Sequence, residues 1–176
     1  TDLPLYLRLA ALSNMANAWM NIPRGWKKAK KYLAEVETVA NQLAEEGKCK
    51  ELHPLGKAAI AQAFFLRGEL LYRSMLDIKI KTKKLKDAVK LATEKAKRAA
   101  MADKYFVTVE KSKNPRWVAA AASRRGRAQH EIGNSLENLP PPKSFRKRDE
   151  LVEEWKTKMS EKAEPYKTKA MVRYRA

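Results

Sequence analysis

Arg124, Arg125 and Arg127 form the densest arginine cluster of this chain, and Lys79, Lys81, Lys83 and Lys84 lie in its densest lysine run. A guanidinium can hold a carboxylate or phosphate through two parallel N–H bonds, whereas an ammonium acts as a point charge. These residues are therefore suited to gripping an anion. A plainer reading stands beside each. Adjacent helical positions do not share a face, so the arginines can splay around a helix; the lysine run can be a connection kept soluble by its charge. Residue types that make or break bonds are scattered. His53 and His130 lie far apart, with no acidic or Cys partner at metal-ligand spacing. Nothing orders Ser, His and Asp into a triad, and no Gly-rich phosphate loop is present. Glu153, Glu154, Glu161 and Glu164 have lysines at helical spacing and read as surface pairs. Cys49, between Lys48 and Lys50, reads as an exposed thiol of modest reactivity. The expectation is a protein that binds without catalysis and needs no metal or cofactor.

Composition narrows the partner. The chain has 176 residues and a net charge of +18, yet 44% of it is hydrophobic, so it has the apolar content to fold. The charge points to an acidic partner: an acidic protein or peptide, nucleic acid, or an anionic surface. A single cysteine excludes an internal disulfide. No apolar run approaches the length of a membrane span. The opening Thr1-Asp-Leu-Pro has neither the basic start nor the apolar core of an export signal, and the chain reads as a processed form or a piece of a longer protein.

The elements that must position these side chains are helices. Leu5, Leu9, Leu12, Ala16 and Trp19 recur at helical spacing and predict helix 1 over about residues 3–20. Ala29, Leu33, Val36, Val39, Ala40 and Leu43 predict the inward face of helix 2, over about 26–46, with Gly47 as its stop. Helix 3 is expected over about 54–76 and helix 4 over about 83–101. Asn114-Pro115 caps helix 5, which extends to about 139 before Pro140-Pro-Pro142. Helix 6 covers about 145–163, and Pro165 breaks or kinks the chain before a last helical stretch over 166–176. Segments 77–83 and 104–110 carry strand-like runs and are expected as extended loops, the alternative being that they pair as strands. Trp19, Trp26, Trp117 and Trp155 read as packing residues. The fold class is all-α in one domain, with helices paired as hairpins over 3–46, 54–101 and 114–163.

Gly68, mid-helix between bulky residues, suits close approach by another helix, and Ala88, Ala92 and Ala96 make a flat stripe. This pair of segments resembles the tetratricopeptide repeat. Leu66 or Arg67 with Gly68 stands near its Leu-Gly step, Tyr72 near its Tyr, Ala88 near its second-helix alanine, and Phe64 or Phe65 in place of its Trp. Val118 to His130 repeats the first-helix motif around Gly126. The resemblance implies a degenerate tetratricopeptide-like solenoid whose first helices line a concave groove. Carried over residue by residue, the groove positions are Gln62, Phe65, Glu69, Tyr72 and Arg73 from the Gly68 register. The Gly126 register adds Ser123, Arg127 and His130, and a weaker register with Ser13 at the Gly position adds Asn14 and Asn17. Residues 119–176 are further similar to tetratricopeptide proteins of the myxobacterial and predatory-bacterial envelope, including the gliding-motility machinery. That likeness implies an exported scaffold, periplasmic or associated with the outer membrane, with a cytoplasmic location as the alternative. The expected function is a scaffold that binds an acidic protein or peptide through a basic groove. The alternative is a basic helical nucleic-acid-binding protein, and attachment to an anionic surface is a third possibility.

Overall fold

The computed structural model describes residues 3–175, the last of them without its side chain. Six α-helices follow one another: α1 (Leu5–Met20), α2 (Trp26–Glu45), α3 (Pro54–Leu76), α4 (Leu85–Lys111), α5 (Pro115–Glu137) and α6 (Asp149–Arg175). Short 3₁₀ turns at Lys48–Lys50 and Lys143–Phe145 precede α3 and α6. Among the described residues there is no β-strand.

Local chemistry accounts for several boundaries. Gly47 follows α2 with φ +70°, the left-handed conformation that ends helices, and its N–H donates to the Ala44 carbonyl at 3.1 Å. The Asn114 side chain accepts from the N–H of Trp117 at 3.4 Å, so it caps α5 with Pro115 in the first helical position. His53 does similar work ahead of Pro54: its Nδ1 accepts from the N–H of Leu55 at 3.2 Å, and its ring stacks on Tyr6 at 4.3 Å.

Two helices differ from the expectation. Residues 104–110 are helical, and α4 continues through them to Lys111. The reason is a buried series at Ala88, Lys95, Ala99, Ala102, Phe106 and Val109, spaced by seven, four, three, four and three residues. That helical period outweighs the strand preference of Tyr105 to Val109. Likewise α6 is one helix through Pro165, so of the two expected outcomes, a break or a kink, the break does not occur. Met159, Ala163 and Ala170 are buried and Tyr166 is half-buried, so the inward period is unbroken across the proline. The proline leaves the Glu161 carbonyl without its usual helical donor, a local cost that continued packing offsets. Ala176, where the last predicted stretch ended, lies outside the described residues.

The chain divides into two compact units, one with the residues up to 70 and 104–121, the other with 71–103 and the residues from 122 onward. In the first unit, α1 and α2 form a hairpin. Leu9, Ala16 and Met20 pack with Ala29, Leu33 and Val36 and with Ala59, Ala63 and Leu66 of α3. Each fully buried Leu or Val there contributes about 1.5–3 kcal/mol. Gly68 sits under the Phe106 ring so closely that an added Cβ would lie 2.6 Å from a ring carbon. In the second unit, Ala88, Leu139 and Met159 form a core with Ile80, Ala92, Leu136 and Trp155 around it. The Trp155 Nε1 donates to the Leu139 carbonyl at 3.1 Å, which ties α6 to the chain just beyond α5.

Candidate functional site

In the first unit, α1 and α3 bring two of the expected groove residues together. The Gln62 Nε2 donates to the Asn14 Oδ1 at 3.4 Å. Asn14 and Asn17 are exposed, and the Asn17 carbonyl accepts from the Asn21 side chain at 3.0 Å. Phe65 is instead drawn into packing, with ring centroids 5.8 Å from Phe106 and 5.2 Å from Trp117. Glu69 is buried, at 5% exposure.

In the second unit, Tyr72 is buried, and the Arg124 guanidinium lies over its ring at 5.5 Å. Arg125 faces elsewhere: its Nε donates to Asp103 Oδ1 at 2.6 Å and its Nη2 to Oδ2 at 3.3 Å, a two-pronged pair between α5 and α4. Arg127 and His130 are exposed, as is Arg73 on α3, while Ser123 is half-buried. The arginine cluster therefore splays as neighbouring helical positions must, and it does not act as one grip. Lys79, Lys81, Lys83 and Lys84 are exposed in the connection ahead of α4. That connection is held by backbone bonds, by the Thr82 hydroxyl accepting from the Lys84 N–H at 3.1 Å, and by Arg146 donating to the Lys83 carbonyl. Among the described residues none of these four ammonium groups makes an ion pair.

Charges that do become buried are paired. Lys95, 7% exposed, donates to Glu131 at 3.1 Å. It borders a cavity of about 160 Å³ lined chiefly by Val89, Ala92, Ile132, Leu136 and Tyr166, smaller than the several hundred Å³ of common ligand pockets. Glu137 of α5 accepts from Lys167 and Ser160 of α6. The Lys167 hydrogen bond, the largest influence, holds the Glu137 carboxyl below its ordinary value of 4.5 against the opposing effect of desolvation. Among the described residues no group of three or more His, Cys, Asp or Glu is gathered in the way a metal ion requires.

One exposed aromatic had been expected to pack. Trp26 is 46% exposed at the start of α2, with Lys30 4.7 Å and Lys27 5.6 Å from its ring centroid. Its place directly after a Pro-Arg-Gly turn was the available signal, because a residue in the first position of a helix need not join the inward stripe. Trp19 and Trp117 are half-buried, and so is Trp155.

Comparison with protein-family models, with curated proteins and with solved structures finds no match to this chain.

Proposed function

We propose that this protein is a non-catalytic helical scaffold that binds an acidic protein or peptide. One observation carries the reading: within each unit, a side-chain contact joins two odd-numbered helices. In the first, α1 meets α3 through Asn14 and Gln62. In the second, α3 meets α5 through Tyr72 and Arg124. Neighbouring first helices are what a tetratricopeptide-like stack requires of its binding face. In the first unit the exposed Asn14 and Asn17 offer amide groups, and in the second the exposed Arg73, Arg127 and His130 offer guanidinium and imidazole donors, to carboxylates and peptide backbone. Phe65 and Tyr72, which pack inward, act as supports and do not anchor the partner. The exposed lysines of 79–84 add a longer-range field that speeds encounter with an acidic partner. Placement in a bacterial envelope complex rests on the resemblance of residues 119–176 alone.

The test is binding of labelled glutamate-rich peptides and of mixed-sequence single-stranded DNA across a salt series, with an Arg73→Ala/Arg127→Ala variant in parallel. The scaffold reading expects peptide binding at physiological salt that weakens about tenfold in the variant, the loss of one or two charge-assisted bonds. It also expects DNA binding to vanish there. DNA binding that survives physiological salt, with no peptide binding, would establish the nucleic-acid alternative instead.

A further inference from the structure

We propose that the outward face of α1, with the turn that follows it and the basic start of α2, seats the first unit on an anionic lipid surface. The observation is a second apolar stripe. The inward face of α1 is built from Leu9, Ser13, Ala16 and Met20. On the opposite side Leu7, Ala11, Met15 and Ala18 recur at four, four and three residues, and Ile22 follows four further on in the turn; all are exposed. Leu7 is 38% exposed, Met15 42% and Ile22 48%. A helix that is apolar on both faces is expected to be covered on both, yet every residue of this second stripe remains exposed.

Charge identifies the cover. From Leu3 to Ala34 there is no acidic residue, while Arg8, Arg24, Lys27, Lys28, Lys30 and Lys31 are all present and all exposed. Lys28 lies 4.0 Å over the Trp19 ring and Lys30 lies 4.7 Å over that of Trp26. Each of these two ammonium groups rests on an indole face while its residue stays exposed, so cation and tryptophan are presented to solvent together. Aliphatic stripe, interfacial tryptophan and flanking cations together make the composition of a helix lying in the plane of an anionic bilayer. At 16 residues α1 is about 24 Å long, and no helix of the described residues is long and apolar enough to cross a membrane, so it would lie flat. Nucleic acid would use the lysines and Trp26 but would leave the row of Leu, Met and Ile uncovered. A second copy would bring the same cations against each other.

The experiment uses the full chain and vesicles of phosphatidylcholine with or without phosphatidylglycerol, read by co-sedimentation at near-physiological salt. Two variants are compared, Leu7→Glu/Met15→Glu and Lys27→Glu/Lys30→Glu/Lys31→Glu. All five positions are exposed, and circular dichroism checks that both variants fold. Binding is expected only to the phosphatidylglycerol vesicles. Partitioning should fall by about tenfold or more in each variant, since each cation at such a surface is worth about fivefold and burial of each apolar side chain a similar amount or more. Three results would overturn the proposal. The first is unchanged binding by the Leu7/Met15 variant, which would mean adsorption by charge alone. The second is binding to single-stranded DNA in place of vesicles. The third is a dimer, seen by sedimentation velocity, that the Leu7/Met15 variant dissolves while vesicles are ignored.

Discussion

Gly68 shows what one residue controls. Its mid-helix position suggests a close neighbour, and that neighbour is the buried ring of Phe106 on α4. Gly68→Ala should therefore destabilise the fold. Overpacking of about 1–3 kcal/mol outweighs the gain of about 1 kcal/mol in helix propensity. A net loss of up to about 2 kcal/mol in denaturant unfolding is expected, largely recovered by adding Phe106→Leu; a stabilised Gly68→Ala would show that the ring can move aside freely. At Phe65 and Tyr72 the local logic does not fix which way the ring points. A repeat register assigns them to a groove, but an aromatic residue at such a position can face either way. Here Phe106 and Trp117 receive one ring, and the other is buried beneath Arg124.

At the scale of elements, α5 and α6 are joined by Glu137 and Lys167. Because the folded carboxyl titrates below its ordinary value, this pair contributes stability at pH values above that ordinary value. The contribution is lost as pH falls through the lowered folded value. Unfolding midpoints followed from neutral to acid pH should drop over that window, and Lys167→Met should flatten that part of the profile; an unchanged acid slope would mean the pair does not couple to folding. The extent of α4 was legible in principle, since Ala99, Ala102, Phe106 and Val109 keep a helical period. The β-branched and aromatic run at 105–109 obscured it. Whether α6 breaks or continues at Pro165 was not legible, because the local rule for proline allows either a stop or a kink. Only the burial of Ala170 beyond it explains why the helix persists.

For the whole molecule the dominant quantity is a net charge of +18, most of it on exposed lysine and arginine. Like charges at this density repel in the compact state, and salt screens that repulsion over a Debye length of about 8–10 Å near physiological ionic strength. Thermal stability should thus rise with added sodium chloride, by about 2–4 °C for each 1 kcal/mol of repulsion relieved. A melting temperature that falls with salt would mean that favourable ion pairs, such as Arg125–Asp103 and Lys95–Glu131, outweigh the repulsion.

Sequence alone determined that the chain is helical, where α2, α3 and α5 begin, and that it carries a large positive charge. These follow from spacing, capping residues and charge, which act over a few positions or not at all through contact. Tertiary structure decided which apolar stripe of α1 is covered, which arginines are occupied, and which tryptophan remains in solvent. Periodicity marks a face as apolar, but only a neighbour distant in sequence settles whether that face is buried. Leu9 meets such neighbours in α2 and α3, and Met15, six residues later on the same helix, stays exposed.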